Sequence, residues 1–319
     1  MRRLPILASL FVLGLALTPM RARLQQDPPK QDPPKTEQNQ DDVIKVSTNL
    51  VVVNVTVTDF QDRYVSGLKR ENFSLLEDNQ PQMITDVTLE ETPFAAAILI
   101  DISGSMQQKL ALARSACARF VDGIRIGDVF AIYSFSGMKV KMLQDFTEVR
   151  DLPDGIWDMR PDGETPLYDA IVKAGEALAK RAERRRAILL LSDGADTKSK
   201  ATLEQALRQT AVAQAAIYAV DMTDRAVYGA TPRDNGADIL KTLAEKTGGK
   251  FFSTPGGSQL RDALAQTVEE LRNQYTLTYE PIVERLDGRW HTIQVRLDKP
   301  ALKVRARPGY YANKKKNSA

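Results

Sequence analysis

Oxygen-bearing side chains recur in three short segments of the sequence, each beside a predicted strand or helix. The segments are Asp101-Ile-Ser-Gly-Ser105, Gly163-Glu-Thr-Pro166 and Ser192-Asp-Gly194. In an extended loop alternate side chains point the same way, so the aspartate and two serines of the first segment can converge. Hydroxyl and carboxylate oxygens are hard ligands that suit Mg²⁺, Mn²⁺ or Ca²⁺. The three segments therefore predict a divalent-cation site, with Mg²⁺ the expected ion.

The residue types suggest different roles for the hydroxyls and the carboxylates. We expect the hydroxyls of Ser103, Ser105 and Thr165 to bind the ion directly. Asp101 and Asp193 then act mainly by ordering water molecules and those hydroxyls through hydrogen bonds. Because few anionic groups bind it directly, the ion stays electrophilic, and one coordination position is open to a carboxylate from a partner.

Each of these residues also has an ordinary structural interpretation. A serine of the first segment, or Thr165, can cap a helix when considered alone. Asp193 and Asp196 can each form a turn, although Asp196 is also a reserve ligand. Glu164 is expected at the rim of the site, where it can influence the choice of partner. The metal interpretation depends on all three segments together.

Composition and motifs argue against several other functions. The net charge of +3 is too weak to indicate nucleic-acid binding, and the single cysteine, Cys117, allows no intrachain disulfide bond. The single histidine, His291, makes a multi-histidine zinc site or histidine-dependent catalysis improbable. A phosphatase with an aspartate nucleophile needs a second aspartate where Ser103 stands, and the turn at 101–106 lacks the glycines of a dinucleotide site. No small-molecule substrate is evident, and an enzyme is the less favoured interpretation.

The elements that position the three segments alternate between strands and helices. Continuous apolar runs at 94–100 and 187–191 are typical of strands buried on both faces of a parallel sheet. Further strands are predicted at 129–135, 139–143, 216–220 and 250–253, and helices near 106–124, 167–178, 201–213, 237–247 and 260–273. The fold class is therefore α/β, a doubly wound, mainly parallel sheet with helices on both faces. Thr165 is expected to cap the second helix, with Pro166 as its first residue. In such sheets sites form beyond the carboxyl ends of the strands.

Short β segments flank this domain on both sides. Strands are predicted at 47–59, 65–68, 73–77 and 83–89, and again at 275–279, 291–297 and 302–307. Each group is small for a core of its own. We expect residues 43–92 and 274–312 to pack together as one small all-β module into which the domain at 93–273 is inserted. Contacts between 47–59 and 290–307 would support this arrangement.

The chain ends carry export and linker signals. Residues 1–23 combine a basic start with an apolar run, as in a secretory signal peptide, and an uncleaved membrane anchor is the alternative. Residues 24–42 form a disordered, proline-rich linker, and residues 313–319 form a basic tail. These signals predict an exported protein of the periplasm, the cell envelope or the medium.

The three segments resemble the metal-ion-dependent adhesion site of von Willebrand factor A domains. The family motif matches Asp101, Ser103, Ser105, Thr165 and Asp193 position by position, although Gly163-Glu164 stands where two glycines are often found. The resemblance covers about 93–273, and it implies that an Asp or Glu carboxylate of a protein partner completes the coordination of the ion. It favours a role in adhesion or complex assembly.

The flanks resemble the VWFA-related domain family of exported bacterial proteins over about residues 45–312. Val65-Ser-Gly-Leu68 and the terminal Arg305-Ala-Arg-Pro-Gly-Tyr-Tyr311 carry this second resemblance. The alternative to a metal-dependent binding module is a structural envelope protein in which the metal only stabilises the fold.

Overall fold

Apolar runs that alternate with amphipathic segments build a three-layered domain flanked by antiparallel strands. A computed structural model describes residues 50–89, 92–223, 235–253, 257–283 and 286–312. The strands are β1 (Val51–Thr58), β2 (Phe73–Glu77), β3 (Gln80–Gln82), β4 (Ile84–Thr88), β5 (Phe94–Asp101), β6 (Val129–Ser136), β7 (Lys139–Thr147), β8 (Arg185–Ser192), β9 (Ala215–Asp221), β10 (Phe251–Ser253), β11 (Tyr275–Tyr279), β12 (Trp290–Leu297), β13 (Lys303–Ala306) and β14 (Gly309–Tyr311). The helices are α1 (Leu110–Gly123), α2 (Leu167–Leu178), α3 (Leu203–Val212), α4 (Gly236–Thr247) and α5 (Gly257–Arg272).

The central sheet has six strands in the order β10-β9-β8-β5-β6-β7. All pairs are parallel except β6 with β7. Every residue of β5 is buried, because both faces of this strand are covered. The strand predicted at 139–143 is β7, which pairs back onto β6. Since β5 and β8 are neighbours in parallel, the segments that follow them leave the sheet at the same edge.

Helices cover both faces of the central sheet, as the fold-class prediction required. On one face α1 and α5 pack against alternate residues of β5, with Cys117 buried among them. On the other face α2, α3 and α4 pack against the intervening residues of β5 and β8. The α/β fold class with additional β-sheets is therefore confirmed.

The flanking β segments combine into two further four-stranded sheets, β13-β1-β11-β4 and β14-β12-β2-β3. In the first, β1 lies between β11 and β13, so Val55 has Tyr275 on one side and Ala306 on the other. The predicted contact between 47–59 and 290–307 is confirmed by the pairing of β1 with β13. One apolar core joins both sheets, and we call β1–β4 with β11–β14 the β module.

A buried polar network joins the β module to the α/β domain. Glu270, on α5, is buried, and its carboxylate accepts hydrogen bonds from Thr56 Oγ1 at 3.2 Å and from Tyr218 OH at 2.8 Å. Arg305 Nη2, on β13, lies 2.6 Å from the same carboxylate. Because these partners come from three different elements, the hydrogen bonds and the ion pair together fix α5 against both β1 and β13.

Two predictions about local structure need correction or fall outside the description. The predicted strand at 65–68 is wrong: Gly67 has φ +77°, a left-handed conformation that interrupts an extended strand. The sequence patterns also missed β3, a short strand that pairs with β2. The predicted signal peptide, linker and basic tail lie outside the described residues. Within the described part of the chain, no helix is long and apolar enough to cross a membrane.

Candidate metal centre

The three predicted ligand segments meet at the carboxyl edge of the central sheet. Asp101 ends β5 and Ser192 ends the neighbouring strand β8. The first two segments are joined by backbone hydrogen bonds from Gly104 N to Gly163 O, at 3.2 Å, and from Asp162 N to Ile102 O, at 2.9 Å. These bonds hold the first and second segments together independently of any ion.

Asp101 is fully buried at the floor of this edge. Its Oδ1 accepts a hydrogen bond from Ser103 N at 2.8 Å, and its Oδ2 accepts one from Ser192 Oγ at 2.6 Å. Burial raises the pKa of Asp101 to about 6, although the hydrogen bonds from Ser192 and Ser103 lower it, and the charge of Asp193 raises it further. Both oxygens of this carboxylate are therefore engaged by neighbouring groups.

The two serines of the first segment lie side by side. The Oγ atoms of Ser103 and Ser105 are 3.1 Å apart; Ser103 is buried and Ser105 is exposed. Ser103 precedes a short 3₁₀ helix, Gly104–Met106, but its side chain makes no capping hydrogen bond. Adjacent ligands of an octahedral Mg²⁺, at about 2.1 Å from the ion, lie about 3.0 Å apart. The spacing of the two hydroxyls therefore fits two neighbouring positions around such an ion.

Thr165 does not cap α2, so that prediction is wrong. Helix α2 begins at Leu167, with Pro166 as the N-cap residue rather than the first helical residue. The amide of Leu167 donates instead to Asp196 Oδ1 at 2.9 Å. Asp196 Oδ1 also accepts from Ser199 Oγ at 2.5 Å, so this reserve ligand serves as the helix cap. Within the described residues the hydroxyl of Thr165 makes no hydrogen bond, whereas its backbone N–H donates to Thr197 Oγ1 at 2.8 Å.

Asp193 lies on the third segment, half-buried and close enough to Asp101 for its charge to raise the pKa of that residue. Its Oδ1 accepts a hydrogen bond from Ala195 N at 3.2 Å. The next residue, Gly194, has φ +81°, and a Cβ there would lie 2.2 Å from the carbonyl oxygen of Gly236. Only glycine therefore lets this segment pass between β8 and the start of α4.

The donor set fits a hard divalent cation. It consists of three hydroxyls and two carboxylates on three joined segments, and the two carboxylates repel each other in the absence of a cation. The five predicted residues would hold the ion, with Ser103, Ser105 and Thr165 as direct ligands. The positive charge of a bound cation would compensate the negative charge of the buried Asp101 carboxylate.

Two polar residues at this edge, Ser192 of the third segment and Asp221, were given no role by the sequence reasoning. Ser192 donates to Asp101, and Asp221, which pairs with Ser192 in the sheet, is buried at the end of β9. Asp221 Oδ1 accepts from Thr223 N at 2.8 Å. Both could have been found by one signal, since each ends an apolar strand as Asp101 does.

The rim of the site is formed by exposed groups of mixed character. Glu164 Oε2 is paired with Lys198 Nζ at 2.9 Å, and Glu164 O accepts from Gly137 N at 2.6 Å. The second bond brings the β6–β7 turn to the rim, where Met138 is 75% exposed. A partner that approached the ion would meet an apolar side chain and an ion pair at its edge.

Comparisons with known proteins agree with this assignment of the fold. Residues 96–195 match the family model described as the von Willebrand factor type A domain, and this span contains all five predicted ligands. A search of curated proteins found no match.

Several solved structures are similar to the chain. An aerotolerance-related membrane protein from Bacteroides fragilis is 17% identical, with a TM-score of 0.45 over 55% of this chain and 98% of that one. A von Willebrand factor type A protein from Catenulispora acidiphila is 11% identical, with a TM-score of 0.47 over 85% and 76%. The vWF domain of the type V pili tip protein Mfa5 from Porphyromonas gingivalis is 24% identical, with a TM-score of 0.32 over 35% and 43%. This chain thus covers less than half of the Mfa5 structure.

Proposed function

We propose, from the match of residues 96–195 to the von Willebrand factor type A domain, that this chain is an exported binding protein whose metal site captures a carboxylate. A divalent cation, Mg²⁺ in preference to Mn²⁺ or Ca²⁺, is held by Ser103, Ser105 and Thr165, with Asp101 and Asp193 beneath and beside it. An Asp or Glu of a protein partner then takes the open coordination position. The role is adhesion or complex assembly.

The observation that carries the proposal is that the hydroxyls of Ser103, Ser105 and Thr165 do not cap helices. Ser103 and Ser105 present two Oγ atoms 3.1 Å apart, and neither side chain caps α1, which begins later at Leu110. The cap of α2 is provided by Asp196, so Thr165 is not used there either. Three hydroxyls that could have served as helix caps thus cap no helix, and Ser103 lies beside the buried carboxylate of Asp101.

Binding is a better account of this site than catalysis. The only histidine of the chain, His291, lies in β12, where its ring nitrogens face Asp78 and Asp287. It therefore does not act as a base for Ser103 or Ser105. With uncharged hydroxyls as direct ligands, the ion keeps the electrophilic character needed to attract an anionic group. The export assignment depends on residues 1–23, which lie outside the described residues.

The proposal is tested first by titrating purified protein with Mg²⁺, Mn²⁺ and Ca²⁺ in a calorimeter. We expect one Mg²⁺ to bind the wild type and none to bind Asp101→Ala. Asp86→Ala is the matched control, because it removes an exposed carboxylate of β4, away from the carboxyl edge of the central sheet. Normal Mg²⁺ binding by Asp101→Ala would contradict the site assignment.

Partner binding is tested by recovery from the envelope fraction of the source cell, with Mg²⁺ or with EDTA. A partner should be retained by the wild type and by Asp86→Ala in Mg²⁺, and lost in EDTA or with Asp101→Ala. Equal retention in EDTA would refute the carboxylate-capture role. Metal-dependent melting without any metal-dependent partner would favour the alternative, in which the ion only stabilises an envelope protein.

A further inference from the structure

A second group of metal-ligating side chains lies in the β module. Glu77 ends β2, Asp78 follows it in the turn to β3, and His291 is the second residue of β12. One ligand atom from each of the three lies within 4.8 Å of the other two. In the part of the chain that the structure describes, no other group of three His, Cys, Asp or Glu side chains meets this distance.

Glu77 and His291 occupy inward-facing positions of the sheet, where polar side chains are unexpected. They are only 1% and 4% exposed. The inward positions that precede or follow them on the same strands are apolar: Phe73, Leu75, Ile293 and Val295. Burying a carboxyl and an imidazole at the end of an apolar face is unfavourable unless specific partners satisfy them. Tyr279 OH donates to Glu77 Oε2 at 2.6 Å and thereby orients its carboxylate.

The imidazole of His291 lies between two carboxylates. Its Nδ1 is 2.8 Å from Asp78 Oδ2 and its Nε2 is 3.2 Å from Asp287 Oδ1. A neutral imidazole has a single N–H, so it can donate to only one of these oxygens. Burial lowers the pKa of His291, but the hydrogen bonds with Asp78 and Asp287 and the charges of both carboxylates together raise it above its ordinary value. Either a proton or a metal ion at Nδ1 removes the repulsion between the ring nitrogen and the carboxylate.

Hydrogen bonds from neighbouring groups orient the carboxylates of Asp78 and Asp287 around the ring of His291. Asp78 Oδ1 accepts from Thr292 N at 2.9 Å and from Thr292 Oγ1 at 3.1 Å, which directs Oδ2 at the ring. Asp287 Oδ1, which also accepts from Arg289 N at 2.8 Å, is placed to take the N–H of Nε2. Histidine ligands of metals usually donate their second ring nitrogen to a carboxylate or carbonyl in this way.

We propose that Glu77, Asp78 and His291 bind a zinc-class divalent transition metal through two carboxylates and Nδ1, with Asp287 as the residue that positions the ring. One nitrogen and two oxygens suit such an ion, and three protein ligands leave a position for water. Ligands about 2.1 Å from a tetrahedral ion lie about 3.4 Å apart, so Nδ1 and Asp78 Oδ2 must separate by roughly 0.6 Å. The ion would join segments of the β module that are more than 200 residues apart in the chain.

The proposal is tested by titrating chelator-treated full-length protein, purified without a histidine tag, with Zn²⁺ in excess Mg²⁺. We expect one Zn²⁺ to bind and to raise Tm by roughly 5–10 °C at a concentration about 100-fold above Kd. Asp287→Asn should weaken Zn²⁺ binding roughly 10- to 100-fold, and His291→Gln should abolish it. Asp101→Ala should bind Zn²⁺ normally, so failure of the first site and failure of this one are distinguishable.

A second measurement does not depend on the folding of any variant. Because the chain has a single histidine, its ¹⁵N imidazole resonances belong to His291 without further assignment. We expect Zn²⁺ to shift the Nδ1 resonance and to stop the ring from titrating, and Co²⁺ to give the visible absorption of a tetrahedral site. Unchanged imidazole resonances in saturating Zn²⁺ would overturn the proposal and leave His291 as a hydrogen-bonded partner of the two carboxylates.

Discussion

Replacing Asp101 with asparagine should stabilise the metal-free protein while it abolishes cation binding. Asp101 is fully buried at the end of β5, and its pKa is raised from 3.8 to about 6. Each pKa unit corresponds to about 1.4 kcal/mol, so the ionised carboxylate lowers the free energy of unfolding by up to about 3 kcal/mol at neutral pH. Asparagine keeps an oxygen for the N–H of Ser103, and its amide can donate to Ser192 Oγ.

The pH dependence of this effect has a definite sign. Between pH 3.8 and about 6 the folded protein holds the Asp101 proton that the unfolded chain has lost. The contribution of this group to stability is therefore present below pH 3.8, falls as pH rises, and is lost above pH 6. The advantage of Asp101→Asn over the wild type should accordingly grow through this interval and level off above it.

Urea unfolding in EDTA, followed by circular dichroism, measures the difference. At pH 7.5 we expect Asp101→Asn to exceed the wild type by about 1–3 kcal/mol, the lower end allowing for weaker hydrogen bonds of the amide. Asp86→Asn is the control, since the same change on an exposed aspartate should leave stability within about 0.5 kcal/mol. In saturating Mg²⁺ the order should reverse, because only the wild type gains from the ion. An Asp101→Asn protein that is less stable than the wild type in EDTA, or equally favoured at pH 4 and pH 7.5, would refute the reasoning.

Two further predictions concern the ion pair between Glu270 and Arg305 and the glycine that follows Asp193. Glu270→Gln should lower the free energy of unfolding by roughly 1–3 kcal/mol, because it leaves the partly exposed Arg305 guanidinium without its anion. Urea unfolding beside Glu269→Gln, an exposed neighbour, measures this, and equal effects would show that the pair is unimportant. Gly194→Ala should lower the free energy of unfolding more than Gly67→Ala does. Gly67 also has a positive φ, but a Cβ there would have nothing within 4 Å. Its substitution therefore measures the backbone strain alone, roughly 1–2 kcal/mol. The Gly194 variant should also weaken Mg²⁺ binding, since the clash displaces Asp193, and equal stability of the two alanine variants would contradict this.

Much of the fold follows from patterns that depend on burial. The runs that became β5 and β8 are apolar at every position, which only strands covered on both faces can sustain. The pairing of β1 with β13 was predictable because neither flank is large enough to enclose a core alone. The strand predicted at 65–68 does not form because Gly67 adopts a positive φ, and the apolar residues beside it do not indicate that conformation.

The parts of the site that escaped prediction are those set by long-range contacts. The local pattern predicted Thr165 as the cap of α2, yet the Leu167 amide donates to Asp196, which lies 29 residues further along the chain. The same holds for Ser192, which is ordinary in the sequence and becomes a donor to Asp101 through the adjacency of β8 and β5. The sequence therefore predicted side chains that reach the edge of the sheet, and packing decided which of them already had hydrogen-bond partners.

Two features of the candidate site would favour strong binding of an ion. The segments are already joined by hydrogen bonds, and a negative charge is buried among them. A backbone hydrogen bond from Gly104 to Gly163 joins the first segment to the second, and one from Thr197 to Thr165 joins the second to the loop that continues from the third. The loops thus need little ordering when a cation arrives. The unfavourable term in the metal-free protein is instead the buried charge of Asp101, which a cation neutralises. The free energy that burial of this charge costs the metal-free protein would then be recovered when a cation binds.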